Sequence, residues 1–262
     1  MIMTVETKIV EVSYEERVAI LTLNRPDSLN SLNMEMLTQF VQCLKDVRDS
    51  EADFLVLKGN GKAFSAGGDI KMMLSSDSHE SFDKVMDVIG ELITTLYTLP
   101  QMTISALHGA VAGLGLSIAL ASDYILAEKQ TKVAMNFIGI ALIPDGAGHF
   151  LLEKRLGAHK AKQIIWKGDV LTADQAQALE LVDEVIEGDM KEAVNNTLAY
   201  WKQKPALALK ETKNIYVKSS LAELQSILEM EKAGQSKMRK SADHLEGIQA
   251  FIEKRKPIFN KK

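Results

Sequence analysis

Hydrophobic and polar positions alternate near the start of the chain. Lys8-Ile9-Val10-Glu11-Val12 and Arg17-Val18-Ala19-Ile20-Leu21-Thr22-Leu23 are two runs of period two. The polar Ser13-Tyr14-Glu15-Glu16 between them predicts a hairpin. Asn24-Arg25-Pro26-Asp27-Ser28 ends the second run with turn residues. From Asn33 the period lengthens, and Met36, Phe40, Val41, Leu44 and Val47 recur at the spacing of an amphipathic helix. Asp53-Phe54-Leu55-Val56-Leu57-Lys58 is a compact strand closed by Gly59-Asn60-Gly61. Strand, helix and strand in that order imply parallel pairing through a right-handed crossover.

The pattern recurs. It predicts a helix over 81–99, a strand over 102–107, a helix beginning near Gly113, and strands over 124–127 and 132–135. After Pro144-Asp145-Gly146 come helical segments over 150–156 and 158–166, parted by Gly157. Thr172 caps a further helix reaching about Leu179, and 181–186 reads as a late strand. From about Asp189 only helical periodicity is left, with Pro205 and Pro257 as breaks. The expectation is an α/β core over 1–200 followed by a helical region over 201–262.

Composition narrows the partners. The chain has 262 residues, 46% hydrophobic and 25% charged, which is ordinary for a globular protein. A net charge of −4 supplies no general basic field, so nucleic acid is not the expected partner. The lone Cys43 excludes an internal disulfide or a thiolate metal cluster and suits a reducing cytoplasm. The first residues carry no basic segment followed by an apolar one, so no signal peptide is expected. The best apolar run, 103–120, is broken by His108 and three glycines, which excludes a membrane partner. The five histidines show no ligand spacing, so no metal is expected.

Two glycine-bearing stretches carry the candidate chemistry: Phe64-Ser65-Ala66-Gly67-Gly68-Asp69 and Gly109-Ala110-Val111-Ala112-Gly113-Leu114-Gly115. Each follows a predicted strand and leads into an apolar, helical segment. Backbone stripped of side chains can approach a ligand closely, and free N–H groups at a helix start point toward it. Two such sites brought together would hold one developing negative oxygen between two amides, a means of stabilising an enolate. Ala63-Phe64-Ser65-Ala66-Gly67 lies one residue from the nucleophile elbow of serine hydrolases, with His108 or His149 as conceivable bases. Alanine at the first glycine of that elbow argues against it. Gly113-Leu114-Gly115-Leu116-Ser117-Ile118 imitates a dinucleotide fingerprint but ends in isoleucine, and Asp123 comes too soon to meet a ribose. Pro144-Asp145-Gly146 is turn chemistry first, with Asp145 a natural helix N-cap. A capping role would lower its pKa, whereas burial against Phe137, Ile138 and Leu142 would raise it. Trp166 and Trp201 read as core or interface residues. The run Glu253-Lys254-Arg255-Lys256 reads as a solvated face able to meet a phosphate.

These residues together resemble the crotonase, or enoyl-CoA hydratase/isomerase, superfamily over essentially the full chain. The matching stretches are Leu21-Thr22-Leu23-Asn24-Arg25-Pro26, Gly61 through Asp69, and His108 through Gly115. Ile143-Pro144-Asp145-Gly146-Ala147-Gly148 and the ending from Ala242-Asp243-His244 to Arg255 complete the set. The resemblance implies a spiral of ββα turns with a C-terminal helical trimerisation part, assembled as trimers or dimers of trimers. It also implies an acyl-CoA thioester substrate, with coenzyme A as part of that substrate and no separate cofactor. By position the family's two oxyanion-hole amides fall on Gly68 and Leu114. The loop around Ser65, Ala66, Asp69, Ile70 and Lys71 would embrace the adenine, and Ser28 and Leu29 would line the CoA path.

The departures from the family pattern bear on the reaction. Family hydratases split water between two glutamates, and those positions match Ser117 and Phe137 here. The acid left nearby is Asp145. The segment 137–148 is most similar to the isomerases of the phenylacetate pathway, in which the aspartate at this place is the base. The resemblance therefore implies double-bond isomerisation by one carboxylate with Gly68 and Leu114. Two alternatives stay open: a 2-enoyl-CoA hydratase of fatty-acid β-oxidation, and a CoA-thioester binder with impaired catalysis. A relative that binds RNA exists in the family, and the acidic balance argues against that role here.

Overall fold

The protein, described here from a computed structural model, is defined over residues 8–69 and 79–260. Ile70 and Lys71 lie outside the described residues. The predicted hairpin is formed by β1 (Val10–Glu15) and β2 (Val18–Leu23), paired antiparallel about Glu16, whose φ is +52°. Helix α1 (Met34–Arg48) follows, with the Asn33 side chain accepting from the Met36 N–H at its start. Its apolar stripe, Met36, Leu37, Phe40, Val41, Leu44 and Val47, is fully buried as the spacing demanded.

Strands β3 (Phe54–Gly59), β4 (Met102–Leu107) and β6 (Tyr124–Glu128) continue the sheet in parallel, and β9 (Glu184–Ile186) pairs parallel to β6 at its edge. The order across the sheet is β1-β2-β3-β4-β6-β9. A smaller sheet pairs β5 (Ala110–Ala112), β7 (Lys132–Ala134) and β8 (Val170–Thr172). The sequence pattern missed β5 and β8, because three residues are too few to display alternation. Leu55 and Leu57 enter the main core, while Phe54 and Val56 enter a second apolar cluster with Ile104, Val194 and Leu198. A sheet covered on both faces is what parallel pairing requires.

Helices α2 (His79–Tyr97), α3 (Leu114–Leu120) and α4 (Gly148–Lys167) pack over the main core. Gly157, at φ +74° and ψ 153°, divides α4 into the two predicted halves. Thr172 makes a capping box with Gln175 at the start of α5 (Ala173–Ala178). The helical region comprises α6 (Met190–Lys202), α7 (Ala206–Arg239) and α8 (Ala242–Ile252). Ser241, which the pattern did not single out, separates α7 from α8 by capping the latter. Trp201 of α6 packs its ring on Phe54 and Tyr124, whereas Trp166 is exposed.

Helix α7 has 34 residues, a length of about 50 Å. Near its start Lys210 meets Asp53 at 2.6 Å, and Lys213 meets Asp123 and the Gln101 carbonyl, each at 2.7 Å. Asp53, Gln101 and Asp123 directly precede β3, β4 and β6. The helix is thereby anchored at one edge of the parallel strands and runs back across α2 and α4.

Asn30 ties together the loops that follow β2 and β3. Its amide donates to the carbonyls of Asn60 (2.9 Å) and Ala63 (2.7 Å), and its oxygen accepts from the Arg25 N–H at 2.8 Å. It is completely buried at φ +53°, a conformation asparagine tolerates better than other side-chain-bearing residues. Asn30→Ala strands these buried groups, each at a cost of about 1–3 kcal/mol. The expected outcome in urea unfolding is a loss of about 2 kcal/mol or more.

Candidate active site

β3 and β4 are parallel neighbours, so the chain leaves both at the same end of the sheet. The two glycine stretches follow these strands and meet there. Phe64 N–H donates to the His108 carbonyl, Ser65 N–H to Ala110, and Ala112 N–H back to Ser65, at 2.9–3.2 Å. On its other side the first stretch bonds to Leu32, which donates to Gly67 at 2.8 Å and accepts from Asp69 at 3.1 Å. Gly67 has φ +93°, and a Cβ on it would lie 2.7 Å from the Ala112 carbonyl oxygen and 3.6 Å from the Leu114 amide nitrogen. A side chain there would force the stretches apart. Among the described residues, neither the Gly68 nor the Leu114 N–H is spent on a partner.

Gly68, Leu114 and Asp145 line one narrow cavity, walled by Leu37, Phe82, Val85, Met86, Ile89 and Leu142. Its free volume of about 30 Å³ is room for a single water. A larger group would fit only with the wall side chains moved apart. A larger cavity of about 800 Å³ opens on the other face of the sheet, beside Val56, His108 and Val194 of α6. It contains neither the paired amides nor a buried acid.

Asp145 does not cap α4, contrary to the turn-and-cap expectation. Gly146 (φ +63°) and Ala147 (φ +58°) place two left-handed residues between it and the helix, turning its carboxyl away. The helix start is served by Glu231 of α7, which accepts from the Ala147 N–H at 2.7 Å and the His149 N–H at 3.0 Å. His149 Nδ1 also meets Glu231, at 2.7 Å. Gly146 lets Asp145 approach α3: a Cβ on it would lie 2.5 Å from a Leu114 methyl. Ser117 of α3 donates to the Asp145 main-chain carbonyl at 2.8 Å.

Burial pushes the Asp145 carboxyl up to about 8, and the negative Glu231 adds to that. Gln235 opposes the shift by donating from Nε2 to Oδ2 at 3.2 Å. Oδ1 is buried with no partner. Leu142 supplies part of the apolar wall expected around this acid. Phe137 instead packs its ring over Gly113, and Ile138 is 39% exposed against Gly168.

Sequence reasoning did not anticipate Glu231, Gln235 or Arg239, which all come from α7. Glu231 and Gln235 lie on the same buried stripe as Ser220 and Leu224, four residues apart. A charged residue followed four positions later by a glutamine on a stripe that should be apolar was the available signal. Arg239 also lines the cavity, with its guanidinium 4.6 Å from the centre of the Phe82 ring.

The remaining expected site residues cluster beside the glycine loops. The Ala66 N–H donates to the Leu29 carbonyl at 2.9 Å, which brings 28–29 against 65–66. Ser28 ends a 3-10 turn, and Leu29 is 40% exposed. The Ser65 side chain is fully buried and donates to the Asn30 carbonyl at 2.8 Å. Among the described residues, His108 meets the Gly61 carbonyl and His149 meets Glu231, so neither candidate base is held against Ser65, and the serine-hydrolase alternative falls. Asp69 pairs with Arg25 at 3.2 Å and shapes the loop. Arg255, in the basic run near the C-terminus, is paired with Glu246 and Glu253. Among the described residues, no helix is long and apolar enough to cross a membrane and no cluster of potential metal ligands occurs.

The sequence model described as enoyl-CoA hydratase/isomerase matches residues 13–262. The protein YhaR of Bacillus subtilis (strain 168), named only as an enoyl-CoA hydratase/isomerase, is 46% identical over 242 residues, covering 92% of this chain and 95% of its own. The 1,2-epoxyphenylacetyl-CoA isomerase of Escherichia coli (strain K12) is 33% identical over 253 residues, covering 95% and 97%. Among solved structures, an enoyl-CoA hydratase from Mycobacterium avium subsp. paratuberculosis K-10 superposes with a TM-score of 0.87 at 31% identity, over 97% of this chain and 99% of that one.

The raised pKa of Asp145 has a consequence for stability. Below about pH 4 the group is protonated both folded and unfolded. Between about 4 and 8 the unfolded chain gives up this proton while the folded one keeps it, so stability falls as pH rises and levels off above about 8. Asparagine does not titrate. The Tm advantage of Asp145→Asn over the natural protein should therefore widen across that window and then stay constant. A difference independent of pH would show that Asp145 ionises normally in the fold.

Proposed function

This chain belongs to the enoyl-CoA hydratase/isomerase family, and we propose that it is an isomerase of enoyl-CoA thioesters with Asp145 as its proton shuttle. One observation carries the reading: among the described residues, the cavity lined by Gly68 and Leu114 presents one carboxyl, that of Asp145. At the positions where family hydratases carry glutamates, Ser117 bonds to a backbone carbonyl and Phe137 covers Gly113; neither lines the cavity. Hydration needs a water placed and split by basic groups, and this cavity offers one such group. Isomerisation needs one.

The thioester oxygen would lie between the Gly68 and Leu114 amides. Ionised Asp145 takes a proton from the α or γ carbon of the acyl chain. The C–H electron pair becomes part of a dienolate, and the negative charge on the thioester oxygen is stabilised by the two N–H groups. The same carboxyl returns the proton to the other end of the dienolate, and the double bond has moved with no net gain or loss of atoms. A pKa near 8 suits an acid that both takes and gives near neutrality. The apolar wall accommodates the acyl chain and keeps water from the dienolate. The CoA portion would pass Ser28 and Leu29 and meet the loop from Ser65 through Ala66 and Asp69 to Ile70 and Lys71. Exposed apolar residues on the C-terminal helices, among them Leu207, Tyr216 and Leu245, support assembly as a trimer or a dimer of trimers.

A panel of 2-enoyl-, 3-enoyl- and ring-bearing CoA thioesters, scored separately for hydration and isomerisation, tests the reading. Isomerisation of a 3-enoyl-CoA should rise with pH through a midpoint near 8 and level off about one pH unit above it. Asp145→Asn should lower it by about 10²-fold or more while leaving thioester binding intact. Hydration without isomerisation, unaffected by loss of Asp145, would overturn it in favour of a 2-enoyl-CoA hydratase.

A further inference from the structure

A carboxyl that shuttles a proton between two carbons can use one of its oxygens or both, and its hydrogen bonds decide which. Asp145 has two chemically equivalent oxygens in unequal surroundings. Oδ2 accepts from Gln235 Nε2 at 3.2 Å, whereas Oδ1 is buried without a partner. Gln235 is itself 2% exposed and is secured from a second side, because Nε2 also donates to the Ile143 carbonyl at 2.8 Å. Close approach of α7 makes this possible: Gly234 abuts Ile143, and a Cβ there would lie 2.4 Å from the isoleucine Cδ1. One amide group thus spans the backbone before Asp145 and the carboxyl of Asp145.

We propose that Gln235 is the positioning residue of Asp145, committing Oδ2 to the protein so that Oδ1 exchanges the proton with substrate. The proposal rests on Asp145 as the shuttle. An oxygen already accepting an amide hydrogen is the poorer seat for a proton, so the acid hydrogen resides on Oδ1. During the reaction Oδ1 takes the proton from one carbon and returns it to the other. Oδ2 keeps its hydrogen bond throughout, and the carboxyl does not rotate. Helix α7 therefore contributes two opposed controls a single turn apart: the Glu231 charge favours the protonated acid and the Gln235 amide favours the carboxylate.

Among the described residues, the groups facing Asp145 are few. Helix α7 presents Glu231, Gln235 and Arg239; α4 presents His149, bonded to Glu231; α3 presents Ser117, bonded to the Asp145 carbonyl. The α2 residues lining the cavity are uncharged. Two substitutions should therefore displace the acid limb in opposite directions. Gln235→Met preserves length and removes the amide. Glu231→Gln preserves shape and removes the charge.

The test is the pH profile of 3-enoyl-CoA isomerisation for the full-length protein and both variants, with folding checked by circular dichroism. Gln235→Met should move the acid limb of kcat/KM upward by about one pH unit, roughly a tenfold loss at pH 7, and change kcat more than KM. Glu231→Gln should move the limb downward. A Gln235→Met limb at the natural pH, with activity unchanged or lowered equally at every pH, would overturn the proposal and leave Gln235 a packing residue. The shuttle itself is judged separately: activity surviving in Asp145→Asn overturns Asp145 as the base, whatever the Gln235 variant does.

Discussion

Asp145 is buried beside apolar walls, and a carboxyl in such a place keeps its proton unless the surroundings offset the lost hydration. Much of the site's construction follows from that constraint. The walls from α1 and α2 are apolar, which raises the cost of the charge. A second carboxylate, Glu231, is tolerated nearby because three donors from Ala147 and His149 satisfy it. Among the described residues, Gln235 supplies the one hydrogen bond that an ionised Asp145 receives from another side chain. The balance leaves an acid poised near neutrality, whereas Asp69, also buried, is paired with Arg25.

The amides opposite this acid have a different origin. Parallel pairing of β3 and β4 delivers two chain crossings to the same end of the sheet, and glycines at 67 and 115 allow the backbones to touch. The hydrogen bonds between residues 64–65 and 108–112 hold the two stretches together, the preorganisation that the proposed oxyanion site would need. In the proposed reaction backbone would supply the electrostatic part of the chemistry and one side chain the proton. Family membership is compatible with either isomerase or hydratase activity. The proposal of isomerisation rests on the side chains at 117, 137 and 145, because a water-splitting reaction needs a second base and a proton shift does not.

Local periodicity described the larger elements well. Helix α1, the hairpin, the parallel strands over 54–59 and 102–107, the Gly157 break and the Thr172 cap were all legible, since each is written in residues that are near neighbours in the chain. Strands β5 and β8 were not, because three residues display no alternation. Asp145 as a helix cap was the natural inference from Pro-Asp-Gly. Two consecutive left-handed residues, one of them an alanine, moved it off the helix, and nothing in the composition of that turn announces this.

The sequence by itself determined the fold class and marked the two glycine stretches and Asp145 as the candidate chemistry. Tertiary structure alone decided what that acid is. Its partner amide and its neighbouring charge arrive from a helix some ninety residues later, at positions 231 and 235, where the local pattern shows a polar pair on the buried stripe but not what that pair meets. A hydrophobic pattern records which face of an element is buried; it does not record what that face is buried against. The ionisation of Asp145 depends on the second kind of information, because desolvation and charge act through space.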